Sequence, residues 1–254
     1  MICGPLYFRI LAVYLLFAPA FAAAQIAAAD RTAIAQCLAQ DKKGQACIGI
    51  VADPCMAAAN EEGAKACAAR ELAVWDELLQ ASLKTVNASG PPAIRTAVVE
   101  AQSNWLKSRE GLCPVFDGVD PGMGVGGANY CRLQETGRRA LILECLSTSL
   151  EKQGHAETCI ATLAGPCEMA KGKDPKTCAA GQLAGLEKRL QATLQGLNMS
   201  EEQSNWLKSR EGLCSPFDVI DPGLYRVGGA DCRLVETRVW ESILENLSEA
   251  VHEH

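Results

Sequence analysis

The sequence has few of the residues on which metal and redox chemistry depends. It contains three histidines and no Cys-x-x-Cys pair, although it has 13 cysteines. The missing pair argues against a thioredoxin-like redox motif and a common zinc arrangement, and His252 and His254 lie at the chain end, where fraying is expected. No serine elbow, HExxH motif or paired histidine and cysteine nucleophile is present. We therefore predict no enzyme activity, no cofactor and no metal site.

Long hydrophobic runs are also scarce. One apolar run, 10–21, follows Arg9 and leads into the small residues of 20–24. It is too short to cross the ~30 Å hydrocarbon core of a bilayer and ends in an A-x-A-type cleavage site, so it predicts a secretory signal peptide over 1–24. No later apolar stretch is long enough to span a bilayer. We expect a periplasmic or secreted protein with no membrane insertion after signal cleavage.

The sequence also has fewer basic than acidic residues. Without Arg9 the chain has 23 basic and 30 acidic residues, a net charge of −7. Such a surface disfavours nucleic acid and anionic membranes and favours basic partners, and solubility alone would explain it equally well.

What the sequence does contain is one six-cysteine unit used twice. The segment 102–113, QSNWLKSREGLC, recurs letter for letter at 203–214, and each copy is followed by Phe-Asp-x-x-Asp-Pro-Gly, Gly-Gly-Ala and Cys-Arg-Leu-x-Glu-Thr. We predict repeat one over 25–143 and repeat two over 144–254. Without Cys3, the cysteines fall into register as Cys37, Cys47, Cys55, Cys67, Cys113, Cys131 and as Cys145, Cys159, Cys167, Cys178, Cys214, Cys232.

The apolar pattern predicts helices throughout. Leucines and other apolar residues recur at three- and four-residue steps over 72–86 and 183–197, which is typical of an amphipathic helix. Turns at 90–92 and 196–200 would lead into a second helix, followed by a glycine-rich loop, 114–130 or 215–231, and a third helix from near Cys131 or Cys232. No linker interrupts the sequence between the repeats. The predicted fold class is all-α, with two tandem disulfide-stapled helical-hairpin modules that share a continuous connecting helix.

The turn positions also indicate which cysteines pair. An exported chain meets an oxidising environment, and residues equidistant from the turn of a helical hairpin come together, which favours an entirely local disulfide pattern. Each closed loop of this size contributes roughly 3 kcal/mol in the chain-entropy model. The expected pairs are Cys37–Cys47, Cys55–Cys67, Cys113–Cys131, Cys145–Cys159, Cys167–Cys178 and Cys214–Cys232.

Three motifs of repeat one occur in a characteristic order: ELxxWDxxL at 71–79, QxxWLxxRExxC at 102–113 and, after a Gly-Gly loop, CxxxxTxxR at 131–139. Together they resemble the LprI-type lysozyme-inhibitor family, over about 55–143 and again over 167–245. The resemblance implies an exported, helical and commonly disulfide-linked protein. It also implies inhibition of lysozyme, the activity of a few members on which the family name rests.

Repeat two departs from this pattern at four positions. Glu71, Trp75, Asp76 and Arg139 are replaced by Gln182, Leu186, Glu187 and Trp240. Because these residues lie beside the packing stripe, we expect Glu71 or Asp76 to form an ion pair with Arg109 or Arg139 between adjacent helices, a structural role rather than a role in target binding. Repeat two would then have lost part of this network.

The two loops closed by Cys113–Cys131 and Cys214–Cys232 are the predicted partner-binding sites, because covalent closure reduces the entropy lost on binding. They would present an aromatic anchor beside carboxylates: Phe116, Asp117 and Asp120, and Phe217, Asp218 and Asp221. An alternative with equal support is that each Phe packs under its loop and the Asp residues make turn hydrogen bonds. The segment 122–127 also matches G-x-G-x-x-G, but no strand precedes it and repeat two breaks it, so nucleotide binding is not expected.

The sequence thus predicts an exported protein-binding module that inhibits lysozyme-type cell-wall hydrolases by steric occlusion, with a basic lysozyme as the expected partner. The alternative is a structural or chaperone-like envelope protein without inhibitory activity.

Overall fold

The computed structural model describes residues 27–40, 44–119, 126–152, 156–164, 175–220 and 228–252, and every regular element in those ranges is helical. The all-α prediction is confirmed, whereas the predicted signal peptide lies outside the described residues. None of the described helices is long and apolar enough to cross a membrane. The helices are α1 (27–40), α2 (Ala52–Ala57), α3 (Glu61–Ser89), α4 (Pro92–Leu112), α5 (Phe116–Val119), α6 (Gly127–Glu151), α7 (Ala156–Ala164), α8 (Pro175–Leu197), α9 (Ser200–Ile220) and α10 (Gly228–His252), with 3₁₀ turns at Gln45–Cys47 and Cys113–Val115.

Helix α3, at 29 residues, has start and stop signals that the sequence shows directly. The Asn60 side chain caps its first turn by accepting a hydrogen bond from Gly63 N at 2.9 Å. The helix ends at Ser89, just before Gly90 and Pro91, and Pro92 opens α4 at a position where no N–H donor is required. The turn between α3 and α4 therefore lies where the Gly-Pro-Pro sequence predicts it.

Helices α3 and α6 form the central pair of repeat one and run parallel. Near their starts, Asn129 Nδ2 donates to Lys65 O at 3.2 Å, and near their ends Gly90 lies beside Leu150. Helices α8 and α10 form the corresponding pair in repeat two. The long N-terminal helix α1 is fastened to α3 by an ion pair of 2.8 Å between Asp30 and Arg70.

Helix α4 packs most closely against α9, its counterpart in repeat two, and makes few contacts with α3. Small residues allow the approach: a Cβ added at Gly212 would lie 3.0 Å from Ala101 Cβ and 3.0 Å from Ala97 O. The related contact places Gly111 against the Glu202 side chain, so the two helices are antiparallel. The predicted helical hairpin of α3 and α4 is thus an open one, in which few residues of the two helices meet.

The α4–α9 contact is symmetric: Gly111 and Gly212, at equivalent positions of the identical segments 102–113 and 203–214, each face the other helix. The same face is used on both sides of the α4–α9 contact, so each copy packs against the other, as in a symmetric dimer interface. A substitution in either copy would disturb a surface that the two repeats share.

The disulfides follow the local pattern. The described bonds are Cys37–Cys47, Cys55–Cys67, Cys113–Cys131, Cys145–Cys159 and Cys214–Cys232, all among the expected pairs. Cys178 is also disulfide-bonded, and its expected partner Cys167 lies outside the described residues.

The two repeats share their hydrophobic interior. Cys113 and Cys131 of repeat one pack in a cluster with Trp206 and Trp240. Reciprocally, the disulfide between Cys214 and Cys232 of repeat two packs in the cluster that contains Trp75 and Trp105 of repeat one. Helix α6 continues from repeat one past residue 144 without a break, so the repeats are joined both by a continuous helix and by exchanged core contacts.

Candidate functional site

The base of the first candidate loop is held by contacts within the protein. The chain stays helical beyond Cys113, through a 3₁₀ turn and α5, so the loop is shorter than predicted. Phe116 is partly buried against the core that contains Trp206. Asp117 is exposed, but its Oδ1 accepts a hydrogen bond from Ala128 N at 3.1 Å, in the first turn of α6. The carboxylate therefore caps α6 and favours the turn-bonding alternative for this residue.

The second candidate loop departs further from the prediction. Helix α9 continues through Pro216 to Ile220, and this brings Phe217 into the core with an exposed fraction of 1%. The assignment of Phe217 as a partner-binding anchor is wrong, because a fully buried ring offers no surface to a partner. Asp218 is exposed but lies 3.0 Å from Arg233, whose guanidinium also bonds Glu211.

The tips of the two loops carry the remaining predicted contact residues. Asp120 and Asp221 lie outside the described residues and stay predictions. The glycine pair at the end of the first loop has a structural reason: Gly126 and Gly127 have φ values of 94° and 49°, and a Cβ on Gly127 would collide with the Asp117 carboxylate.

Glu71 does not form the expected ion pair with an arginine. It is fully buried, and its carboxylate accepts hydrogen bonds from Gly49 N at 2.6 Å, Val51 N at 2.9 Å, Ala52 N at 2.7 Å and Trp75 Nε1 at 2.9 Å. The three backbone donors lie just before α2 and at its first residue, where N–H groups have no helical partner. Glu71 therefore fixes the segment before α2 to α3, a correction to its predicted role.

The expected ion pair between adjacent helices occurs in repeat two instead. Glu187 lies 2.8 Å from Arg210, whereas its counterpart Asp76 is one methylene shorter and Arg109 bonds Glu110 at 2.9 Å. Arg109 still interacts with Asp76 and lowers the pKa of its carboxyl, but burial outweighs this and raises the pKa above its ordinary value. The predicted link between Asp76 and Arg109 is thus electrostatic without a direct contact.

Arg139 is buried at the contact between the repeats rather than paired with α3. Its Nε donates to Gln102 at 3.2 Å, its guanidinium lies over the Trp105 ring at 5.6 Å, and its Nη1 is 3.9 Å from Glu236 of α10. Its predicted partners, Glu71 and Asp76, are therefore replaced by a carboxyl group from the other repeat.

Two buried carboxyl groups, Glu135 and Glu236, occupy equivalent positions in α6 and α10, each 7% exposed. Burial and the proximity of Glu236 raise the pKa of Glu135 to about 7, although Trp105 Nε1 donates to it at 3.1 Å. Burial also raises the pKa of Glu236, against the opposing effect of Arg139 and Arg138. The pair of Glu135 and Glu236 was not predicted from the sequence. The only signal for it there is a Glu-Thr motif that occurs at 135–136 and again at 236–237.

A carboxyl with a pKa near neutrality can act as a general acid or base. Here the group lies between helices with its side chain against Trp105, and its low exposure leaves no access for a substrate. We therefore assign a structural role to Glu135.

We predict that Glu135→Gln makes the protein less sensitive to pH. The folded state holds a proton on Glu135 up to about pH 7, whereas in the unfolded chain the pKa of this carboxyl returns to its ordinary value of 4.5. Stability is thus lost as pH rises between these values, on the order of 2 kcal/mol from this group. Urea unfolding at pH 5 and pH 8 should show a smaller loss of unfolding free energy for the variant than for the wild-type protein.

The control is Glu100→Gln at an exposed position, which should keep the wild-type difference between the two pH values. If Glu135→Gln also kept that difference, the assignment would be contradicted.

A comparison with known families finds a similarity that lies mostly in repeat one. Residues 55–152 match the family model described as Lysozyme inhibitor LprI, a range that includes α3, α4, the first closed loop and α6. No curated protein and no solved structure matches this chain. The resemblance drawn from the motifs at 71–79, 102–113 and 131–139 is therefore confirmed for repeat one, which is similar to the LprI lysozyme inhibitors.

Proposed function

We propose that this protein is an exported inhibitor of lysozyme-type cell-wall hydrolases that works by binding its target. The observation that carries the proposal is the match of 55–152 to the LprI inhibitors. The disulfides suit the periplasm or the extracellular space. The negative charge of the chain suits a basic lysozyme as partner, because opposite charges accelerate encounter and favour a specific orientation.

Repeat two is proposed as a second unit of the same kind. Its cysteines stand in the same register, and α8, α9 and α10 follow one another as α3, α4 and α6 do. The proposed units are 25–143 and 144–254, joined through α6. Two units in a rigid arrangement would either bind two target molecules or engage one target at two places.

The proposed contact surface is the pair of loop tips, 120–125 and 221–227. The bases of both loops are fixed by a buried disulfide and by an aspartate, Asp117 or Asp218, that bonds within the protein. A fixed base reduces the flexibility lost on binding. Asp120 and Asp221 are then the acidic contacts, and the tips would block the substrate cleft by steric occlusion.

The first test is a titration of the oxidised protein, residues 25–254, into a lysozyme assay on cell walls. We expect inhibition that is stoichiometric and is lost when the disulfides are reduced, and the molar ratio at full inhibition would count the active repeats. Absence of inhibition of any lysozyme class at micromolar protein would refute the proposal.

We predict that Asp120→Asn combined with Asp221→Asn weakens inhibition at least tenfold, because both acidic contacts with a basic target are removed, while thermal stability is unchanged. The matched control combines Asp117→Asn and Asp218→Asn, which lie at the loop bases. This control should lower the melting temperature, because Asp117→Asn removes a negative charge at the start of α6 and Asp218→Asn removes an ion pair. If the tip variant inhibited as strongly as the wild-type protein, the loops would not be the contact surface.

A further inference from the structure

A polar cleft lies between α6 and α10, at the junction of the two repeats. Its volume is about 350 Å³, at the lower end of the range for small-molecule sites. The α6 wall is formed by Tyr130, Gln134 and Arg138, and α10 contributes residues between 235 and 246. Gln45 and Leu163 close the cleft, where the Gln45 amide donates to Leu163 O at 2.7 Å.

Among the described residues that line this cleft, the charged ones are Arg138 and Arg238, and none is acidic. Arg238 has internal acceptors, the Ala164 carbonyl and the Gln182 side chain. Arg138 differs: its Nε is buried without a hydrogen-bond acceptor, and no ion pair or hydrogen bond joins its guanidinium to another described residue.

A buried N–H donor without an acceptor, such as Arg138 Nε, is costly, because it has left water without a replacement partner. Glu135 and Glu236 act on Arg138 electrostatically, yet neither lines the cleft. Burial lowers the pKa of Arg138 to about 10, so the group stays charged at neutral pH. An anion in the cleft would pair with the part of this charged guanidinium that lines it.

The chemistry of the remaining walls narrows the ligand class. Leu163, Val235, Val239 and Ile243 form an apolar surface beside the arginines, while amide side chains of Gln134 and Asn246 provide further hydrogen-bonding groups. A planar guanidinium matches a carboxylate, which can accept two parallel hydrogen bonds. We propose that this cleft binds a small organic carboxylate, with the carboxylate on Arg138 and an apolar tail against the α10 wall.

The test uses hexanoate as probe, with hexanamide as its neutral counterpart and inorganic phosphate as an anion without a tail. Binding to the full oxidised protein is followed by NMR, including the side-chain Nε–H resonance of Arg138. We expect hexanoate to bind at least tenfold more tightly than either comparison probe and to shift the Arg138 resonance. Equal binding of hexanoate and hexanamide, or no saturable change up to about 10 mM probe, would overturn the proposal.

Variants separate the site from general charge effects. Arg138→Gln should weaken hexanoate binding at least tenfold, while Arg132→Gln, on the same helix but paired with Glu110 at the surface, should leave it unchanged. Arg138→Lys should bind with intermediate affinity, because it keeps the charge but loses the two-pronged geometry. If Arg138→Gln does not fold, as judged by circular dichroism, the probe comparison on the wild-type protein decides alone. Tighter binding of phosphate than hexanoate would refute the carboxylate assignment.

Discussion

Replacing Glu71 with alanine is expected to lower the free energy of unfolding by about 3–5 kcal/mol. The carboxylate is fully buried and is the acceptor for Gly49 N, Val51 N, Ala52 N and Trp75 Nε1. Alanine would leave these donors buried without acceptors, and each unpaired donor carries a desolvation penalty. Denaturant unfolding measures the total loss.

Hydrogen exchange tests the mechanism of that loss. The amides of Gly49, Val51 and Ala52 should lose most of their protection in Glu71→Ala, because the carboxylate is their acceptor. The control is Glu77→Ala on the same helix, which removes a half-exposed ion pair with Arg31 and should lower the free energy of unfolding far less than Glu71→Ala does. Protection unchanged at these amides would show that Glu71 does not hold the segment before α2.

The hydrogen-bond partners also explain why repeat two has Gln182 at the position of Glu71. The Gln182 amide oxygen accepts a hydrogen bond from Arg238 rather than from a row of backbone N–H groups. An amide has one acceptor oxygen and two donors of its own, so it suits a single guanidinium but not several converging N–H donors. The sequence difference therefore reflects a change of hydrogen-bond partner, from backbone N–H groups to Arg238. From the sequence alone it was interpreted as the loss of an ion pair.

Features that depend on neighbouring residues could be predicted from the sequence. The stripe over 72–86, the turn at Gly90-Pro91 and the local disulfides such as Cys37–Cys47 all depend on spacing along one short segment. Such patterns express helix periodicity and turn chemistry directly. The continuous α6 could be predicted in the same way, from the absence of a linker.

Features that depend on the approach of distant segments could not be predicted. The contact of α4 with α9 rests on small residues, Ala97, Ala101 and Gly212, which leave no hydrophobic stripe. The sequence left open whether Phe217 packs under its loop or faces a partner, because a proline at 216 usually ends or kinks a helix, yet α9 continues through it. Most partners of Glu71 are backbone N–H groups, which every residue except proline carries, so the sequence does not single them out.

The second large effect is expected at Trp240, which occupies the position of Arg139. Its ring stacks on Trp206 with centroids 4.5 Å apart and planes 1° from parallel, and it is 1% exposed. Trp240→Ala should lower the free energy of unfolding by about 3–5 kcal/mol through the cavity left behind. Trp240→Phe keeps an aromatic ring and removes an Nε1–H that has no acceptor among the described residues, so its cost should stay near 1 kcal/mol. An equal loss in both variants, measured by urea unfolding, would contradict the stacking argument.

Trp240→Arg tests whether the two repeats are interchangeable at this position. In repeat one, Arg139 lies over Trp105, bonds Gln102 and approaches Glu236. The corresponding groups in repeat two are Trp206, Gln203 and Glu135, so a new guanidinium would find the same set of partners. We expect a loss of stability between those of the Phe and Ala variants. The added positive charge should also lower the pKa of Glu135 and weaken the pH dependence that this group causes. A loss larger than that of Trp240→Ala would mean that the second repeat has diverged too far to accommodate a buried arginine.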